Sequence, residues 1–197
     1  MQPVIVASSN PGKLREFREI LASLGRAIVS QSELNIPDAD EPHASFLENA
    51  LAKARHAARL GHLPALADDS GICVNALGGE PGVHSARFAG EPRSDERNNR
   101  KLVDALAGQP ERRAHYYCVI VLLRHADDPE PLVAEGRWHG ELIAEPRGSG
   151  GFGYDPYFLL PALGKTAAEL DPAYKNRISH RGLAAQRLLV LLREVEW

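Results

Sequence analysis

Val4-Ile5-Val6-Ala7-Ser8-Ser9-Asn10-Pro11-Gly12-Lys13-Leu14 changes character twice within one short stretch. Val4 to Ala7 is an apolar run that reads as a short buried strand. Ser8 to Gly12 is dense in turn-forming residues. From Lys13 onward, Leu14, Phe17, Leu21 and Leu24 recur at spacings of three and four, the stripe of an amphipathic helix that Gly25 stops. A buried strand feeding a helix through a polar loop predicts an α/β chain.

The pattern continues outward from there. Ala27-Ile28-Val29 reads as a second strand, and Ser45 and Glu48 have capping-box spacing for a helix running to about Leu60. Ala65-Leu66-Ala67 and Ile72-Cys73-Val74 read as two extended pieces around a tight turn at Asp68-Asp69-Ser70-Gly71. Gly78-Gly79-Glu80-Pro81-Gly82 forces an irregular loop, and a helix is expected from about Ser94 to Ala107. Ala114 to Leu123 and Leu132 to Ile143 are long strand candidates joined by a short turn, predicting an extended antiparallel hairpin. Gly148 to Gly153 is a glycine loop, Tyr157-Phe158-Leu159-Leu160 a strand, and Ser179 caps a final helix through Leu192. The element order predicts a mixed sheet. Without repeat, low-complexity tract or linker, residues 1–197 read as one domain.

A hydrophobic fraction of 44% and a charged fraction of 25% exclude the disordered and fibrous classes. A formal net charge of -3 argues against a broad nucleic-acid surface. Cys73 and Cys118 lie in apolar strand-like runs and read as buried small hydrophobes, with neither a disulfide framework nor zinc-ligand spacing around them. The N-terminus lacks a basic leader, and no run approaches the roughly 18 apolar residues of a membrane span. The expectation is a cytoplasmic protein with no nucleic-acid or membrane partner.

Five segments carry candidate chemistry. Ser8-Ser9-Asn10-Pro11-Gly12-Lys13 sets a helix N-terminus and a lysine where a triphosphate would be favoured, although its glycine spacing is not that of a Walker loop. An ordinary strand-to-helix turn gives the same residues. Asp68-Asp69-Ser70-Gly71 presents adjacent carboxylates, which repel unless they share a cation or a proton. Such a pair suits a metal-nucleotide site or a general base, and equally a solvated acidic turn. The acidic loop Asp38 to Glu41 reads by default as solvated; as the source of a second metal ligand, Glu41 is its candidate. Gly150-Gly151-Phe152-Gly153-Tyr154-Asp155-Pro156 combines pliable backbone with aromatics that either stack on a base or anchor a bent strand. Lys175 and Ser179-His180-Arg181-Gly182 gather cations at the start of the last helix, where the dipole opposes them and an anionic or polar ligand offsets them.

These segments occur in order, together with Ser45-Phe46-Leu47-Glu48-Asn49-Ala50 and Leu77-Gly78-Gly79-Glu80-Pro81-Gly82-Val83-His84-Ser85-Ala86-Arg87. In that order they resemble the inosine triphosphate pyrophosphatase family, the XTP/dITP diphosphatases, from about Val4 to the final helix. The resemblance implies an α/β fold of two lobes around a long central mixed β-sheet, a nucleotide cleft between the lobes, and a homodimer. It implies Mg²⁺-dependent cleavage of ITP, dITP and XTP to the monophosphate and pyrophosphate. Mapped onto this chain, Ser8, Ser9, Asn10, Pro11, Gly12 and Lys13 hold phosphate. Asp69 is the general base and a Mg²⁺ ligand supported by Asp68, Glu41 is the second acid with Asp40 its alternative, and Lys53 points toward the phosphates. Ser70, Phe152, Gly153, Tyr154, Asp155, Lys175, His180 and Arg181 contact the nucleotide. Two positions depart from the family pattern: Ser9, where glycine is frequent, and Asn75, where aspartate is frequent. A related-fold pyrophosphatase for modified or pyrimidine nucleotides and a catalytically silent nucleotide-binding regulator are the competing readings.

Overall fold

The computed structural model describes residues 2–22 and 27–195. Seven strands form one mixed sheet: β1 (Val4–Val6), β2 (Ile28–Ser30), β3 (Ala65–Val74), β4 (Arg113–Leu123), β5 (Leu132–Leu142), β6 (Phe158–Leu160) and β7 (Lys165–Thr166). Their spatial order is β2-β1-β3-β4-β5-β6-β7. The helices are α1 (Pro11–Ala22), α2 (Phe46–Gly61), α3 (Asp95–Ala105), α4 (Pro172–Ile178) and α5 (His180–Glu194). The expected end of the first helix at Leu24 and Gly25 lies outside the described residues.

The chain divides into two compact units. One comprises Met1–Asp69, Val119–Glu135 and Ala184–Trp197; the other comprises Ser70–Cys118 and Gly136–Leu183. In the first unit β1 is paired in parallel on both sides, Ile5 with Val29 of β2 and with Ala65 of β3. Val4, Ile5 and Val6 are fully buried, so the apolar run has the all-buried pattern of a parallel strand. Val6 pairs with Leu66, which puts Ser8 and Asp68, two residues further along each strand, at the same level. In open α/β sheets this end of the strands is where ligands bind. α2 begins as its sequence signals: Ser45 is the N-cap and accepts from the Glu48 N–H. The Glu48 carboxylate returns to the Ser45 hydroxyl at 2.6 Å rather than to a backbone N–H.

In the second unit β6 pairs antiparallel with both β5 and β7. Ile72, Leu102, Tyr116, Trp138, Tyr154 and Phe158 share its core, with the Tyr116 and Phe158 rings edge-on at 4.7 Å. α3 starts at the Ser94 cap, close to its expected position.

Three expectations change. β3 is one continuous strand rather than two pieces around a turn at residues 68–71. Buried between neighbours in the sheet, a turn there would leave N–H and C=O groups without partners. α4 precedes the final helix, opened by Asp171, which accepts from the Tyr174 N–H, and by Pro172 in its first turn. Cys118 is buried, whereas Cys73 is only half-buried, and among the described residues the two form no disulfide.

Candidate functional site

The loop after β1 folds on its own side chains. Asn10 Oδ1 accepts from the N–H groups of Gly12 at 2.8 Å and Lys13 at 3.2 Å, and Ser8 Oγ accepts from the Asn10 N–H at 3.1 Å. Pro11 has no N–H. The helix N-terminus therefore does not present a bare row of donors, as its sequence suggests; Asn10 caps it. Ser9 and Asn10 are exposed, and Lys13 turns inward so that its Nζ lies 2.8 Å from Asp68 Oδ1.

Because β3 is regular, the side chains of Asp68 and Asp69 alternate across it. Each is met by a different helix. Asp68, fully withdrawn from solvent, takes Lys13 of α1, whereas Asp69 takes Lys53 of α2 at 3.4 Å. Lys53 lies 2.7 Å from Glu41 and so bridges that carboxylate to Asp69. Asp40 is exposed, so the acidic loop delivers Glu41 to this cluster. Asn49, one turn before Lys53 on α2, donates to Asp69 at 3.4 Å and exchanges two hydrogen bonds with the His43 backbone. It thereby ties the acidic loop to the helix. Sequence reasoning missed Asn49; the signal was an amide, a poor helix former, inside a helix at i−4 from a lysine.

Burial is the main force on Asp69 and pushes its carboxyl pKa up; Lys53 opposes that rise, while Glu41 and Asp68 add to it. Burial alone would lower the Lys53 pKa, but Asp69, Asp68 and Glu41 together outweigh it and raise the ammonium above its ordinary value. Three carboxylates thus face two lysines. Among the described residues no three His, Cys, Asp or Glu side chains gather as a metal cage. The hard oxygen donors of Glu41 and Asp69 fit Mg²⁺, which commonly takes one or two carboxylates and completes its shell with phosphate oxygens and water.

The second unit holds the remaining predicted residues. Asp155 is buried at the head of a 3-10 turn and accepts from the Phe152 N–H at 2.8 Å, Lys175 Nζ at 2.5 Å and the Tyr116 hydroxyl at 3.4 Å. Gly151, at φ +75°, leaves the space that Asp155 fills: a Cβ there would lie 2.1 Å from Asp155 Oδ2. Lys175 belongs to α4, not to the terminal helix. Its Nζ also lies 4.9 Å from the centre of the Phe152 ring. Phe152 is 59% exposed, so it is no packing anchor; Tyr154 is one, its hydroxyl donating to the Ser85 carbonyl at 2.8 Å.

Ser179 ends α4 and its hydroxyl accepts from the Gly182 N–H at 3.3 Å, capping α5 as expected. His180 and Arg181 are buried rather than lying on a helix surface. The His180 ring stacks on Tyr116, centroids 4.8 Å apart at 12°, and the Arg181 guanidinium lies 3.4 Å from Ser70 Oγ. Tyr116, which touches both His180 and Asp155, had no signal in the sequence beyond an inward position on a strand. Burial and the charge of Asp155 push its phenol pKa well up, so it stays a neutral donor.

A family model described as the Ham1 family matches residues 4–191. A dITP/XTP pyrophosphatase of Nitrosomonas europaea is 66% identical over 100% of this chain and 97% of its own length. One of Ralstonia nicotianae is 63% identical over 100% and 99%. Among solved structures, a HAM1 protein from Coxiella burnetii superposes with a TM-score of 0.95 at 47% identity, covering 99% of this chain and 100% of that one. The nucleoside-triphosphatase / dITP/XTP pyrophosphatase from Mycobacterium abscessus gives 0.79 at 40% identity, over 96% and 98%. Spanned by one family model and matched end to end by these relatives, the chain belongs to the Ham1 family.

Proposed function

We propose that the chain is a hydrolase that converts non-canonical purine nucleoside triphosphates (ITP, dITP and XTP) to the monophosphate and pyrophosphate, cleansing the nucleotide pool. The observation that carries this reading is the pairing of buried Asp68 and Asp69 and part-buried Glu41 with Lys13 and Lys53. The full-length relatives named dITP/XTP pyrophosphatases support the substrate class. We further propose a Mg²⁺-dependent, cytoplasmic homodimer, with both compact units belonging to one pyrophosphatase domain. Among the described residues no helix is long and apolar enough to cross a membrane.

In this reading the Ser8 to Lys13 loop holds phosphate, and Glu41 and Asp69 would hold Mg²⁺. When bound, the ion neutralises phosphate charge that repels an attacking oxygen. Asp69 takes a proton from water as the water oxygen attacks the α phosphorus and the bond to the bridging oxygen of the β phosphate breaks. Burial raises its pKa and so favours it as a base, while Mg²⁺ on the same carboxylate would act in the opposite direction. Lys13 and Lys53 stabilise the negative charge that moves onto departing pyrophosphate. Asn49 holds Asp69 in place. Phe152 offers a stacking face, while Ser70, Gly153, Tyr154, Asp155, Lys175, His180 and Arg181 form the surroundings of the base and sugar. Donors from Lys175 or the His180-Arg181 segment read the 6-keto oxygen. Adenine presents an amino group there, and each donor left unpaired costs about 1–3 kcal/mol.

The test is initial-rate hydrolysis of ITP, XTP, dITP, ATP and GTP with Mg²⁺, with products separated by chromatography. Preference for the first three, with monophosphate and pyrophosphate released, is expected. Equal turnover of ATP and ITP would remove the base-reading step, and orthophosphate release would overturn the bond assignment.

A further inference from the structure

The sequence Ser94-Asp95-Glu96-Arg97-Asn98-Asn99 places two adjacent amides inside a helix, where asparagine is disfavoured. Asn98 is accounted for locally: it donates to the Ala86 carbonyl at 3.0 Å and accepts from the Ala89 N–H at 2.7 Å, holding the loop before α3. Asn99 reaches elsewhere. Its Nδ2 donates to the Gly153 carbonyl at 2.8 Å, and Asp95, one turn earlier, accepts from the Gly153 N–H at 2.8 Å. Residues four apart share a helix face, so this pair grips both polar groups of a single loop residue.

That residue follows Phe152. The Phe152 N–H is held by Asp155 and the next N–H by Asp95, so the peptide planes on both sides of the phenylalanine are fixed by carboxylates. Its ring nevertheless stands largely in solvent. An exposed aromatic on a pinned backbone is a pre-organised stacking face, which lowers the ordering cost of binding. Asn99 is 92% withdrawn from solvent, yet its Oδ1 has no hydrogen-bond partner among the described residues. A buried acceptor left in this way is destabilising, so stability alone is a poor reason for an amide at this position.

We propose that Asp95 and Asn99 form a clamp that positions Phe152 for nucleotide binding. The clamp rests on the reading that Phe152 contacts the nucleotide. Asp95 and Asn99 are positioning residues; neither touches the substrate.

The experiment uses the full chain with Mg²⁺ and ITP and compares Asp95→Ala, Asn99→Ala, Asp95→Asn and Phe152→Ala, with each clamp variant also made in the Phe152→Ala background. Asp95→Ala and Asn99→Ala are expected to raise KM about tenfold, the equivalent of one lost hydrogen bond to a fixed partner, with kcat within about twofold. Asp95→Asn keeps an acceptor and should restore most of the affinity. In the Phe152→Ala background the clamp variants should add nothing, because non-additivity is the mark of residues acting through one another. Where the alanine variants fail to fold, Asn99→Asp removes the donor at constant volume and gives the same reading. A fall in kcat at unchanged KM, or full additivity with Phe152→Ala, overturns the clamp. If Phe152→Ala raises KM and the clamp variants do not, the clamp alone fails; if Phe152→Ala leaves KM unmoved, the nucleotide-contact reading falls and takes the clamp with it.

Discussion

Asp69 carries a charge where burial opposes one, on a strand whose neighbouring positions are mostly apolar. A carboxyl with a raised folded pKa costs no stability below its unfolded value, near pH 4, where it is protonated in both states. The penalty grows as pH rises from there toward the folded pKa and persists above it. Activity has the opposite sign, since the ionised base accumulates only above the raised pKa. The acid limb of kcat/KM is therefore expected above pH 4, and Asp69→Asn should lower kcat by about 10³-fold while ITP still binds. An acid limb at or below that pH would mean that Mg²⁺ on Asp69 outweighs its burial, whereas an active Asn variant would assign the base elsewhere. Among single residues, the sequence marked Lys13 and the Asp68-Asp69 pair as candidates beside an ordinary turn and a solvated acidic one, and Lys53 only through the family resemblance. It was silent on Tyr116, whose role depends on a ring 64 residues away in the chain.

Elements were legible wherever periodicity ran long. α2, α3, β4 and β5 stand within a few residues of their expected bounds, since many apolar positions vote on each. β3 misled because Asp68-Asp69-Ser70-Gly71 has turn composition, and its extended state is imposed by partners in the sheet rather than by the local residues. α4 went unread because Pro172–Ile178 is too short to display an apolar stripe, even though Asp171-Pro172 is a helix-opening pair. It meets α5 at a tight corner: a Cβ on Gly182 would stand 2.0 Å from the Asn176 carbonyl oxygen. Backbone cannot yield as a side-chain tip does. Gly182→Ala should cost roughly 1–3 kcal/mol in urea unfolding and raise KM for ITP as His180 and Arg181 shift. Unchanged stability and KM would show that the corner has slack.

For the molecule as a whole, the βαβ opening and the two long strands were enough to indicate an α/β chain with a mixed sheet. The order β2-β1-β3 was not, because strand neighbours depend on crossovers that leave no periodic trace, and β7 is only two residues long. With two carboxylates, and no cage of three among the described residues, ion binding should be weak without nucleotide. Dialysis against EDTA should abolish ITP hydrolysis, and added Mg²⁺ should restore it, as read by pyrophosphate release. Full activity after exhaustive chelation would discard the metal assignment.

Lys13 and Lys53 already have carboxylate counter-ions of their own: Asp68 for the first, Asp69 and Glu41 for the second. Free phosphate or sulfate must therefore compete with those carboxylates for the two lysines, only one of which, Lys13, stands at a helix N-terminus. A competitor must arrive with its own divalent cation to satisfy those acids. The arrangement acts as a filter against the simple anions that crowd any cell, and inhibitors designed as bare phosphate mimics should perform poorly against it.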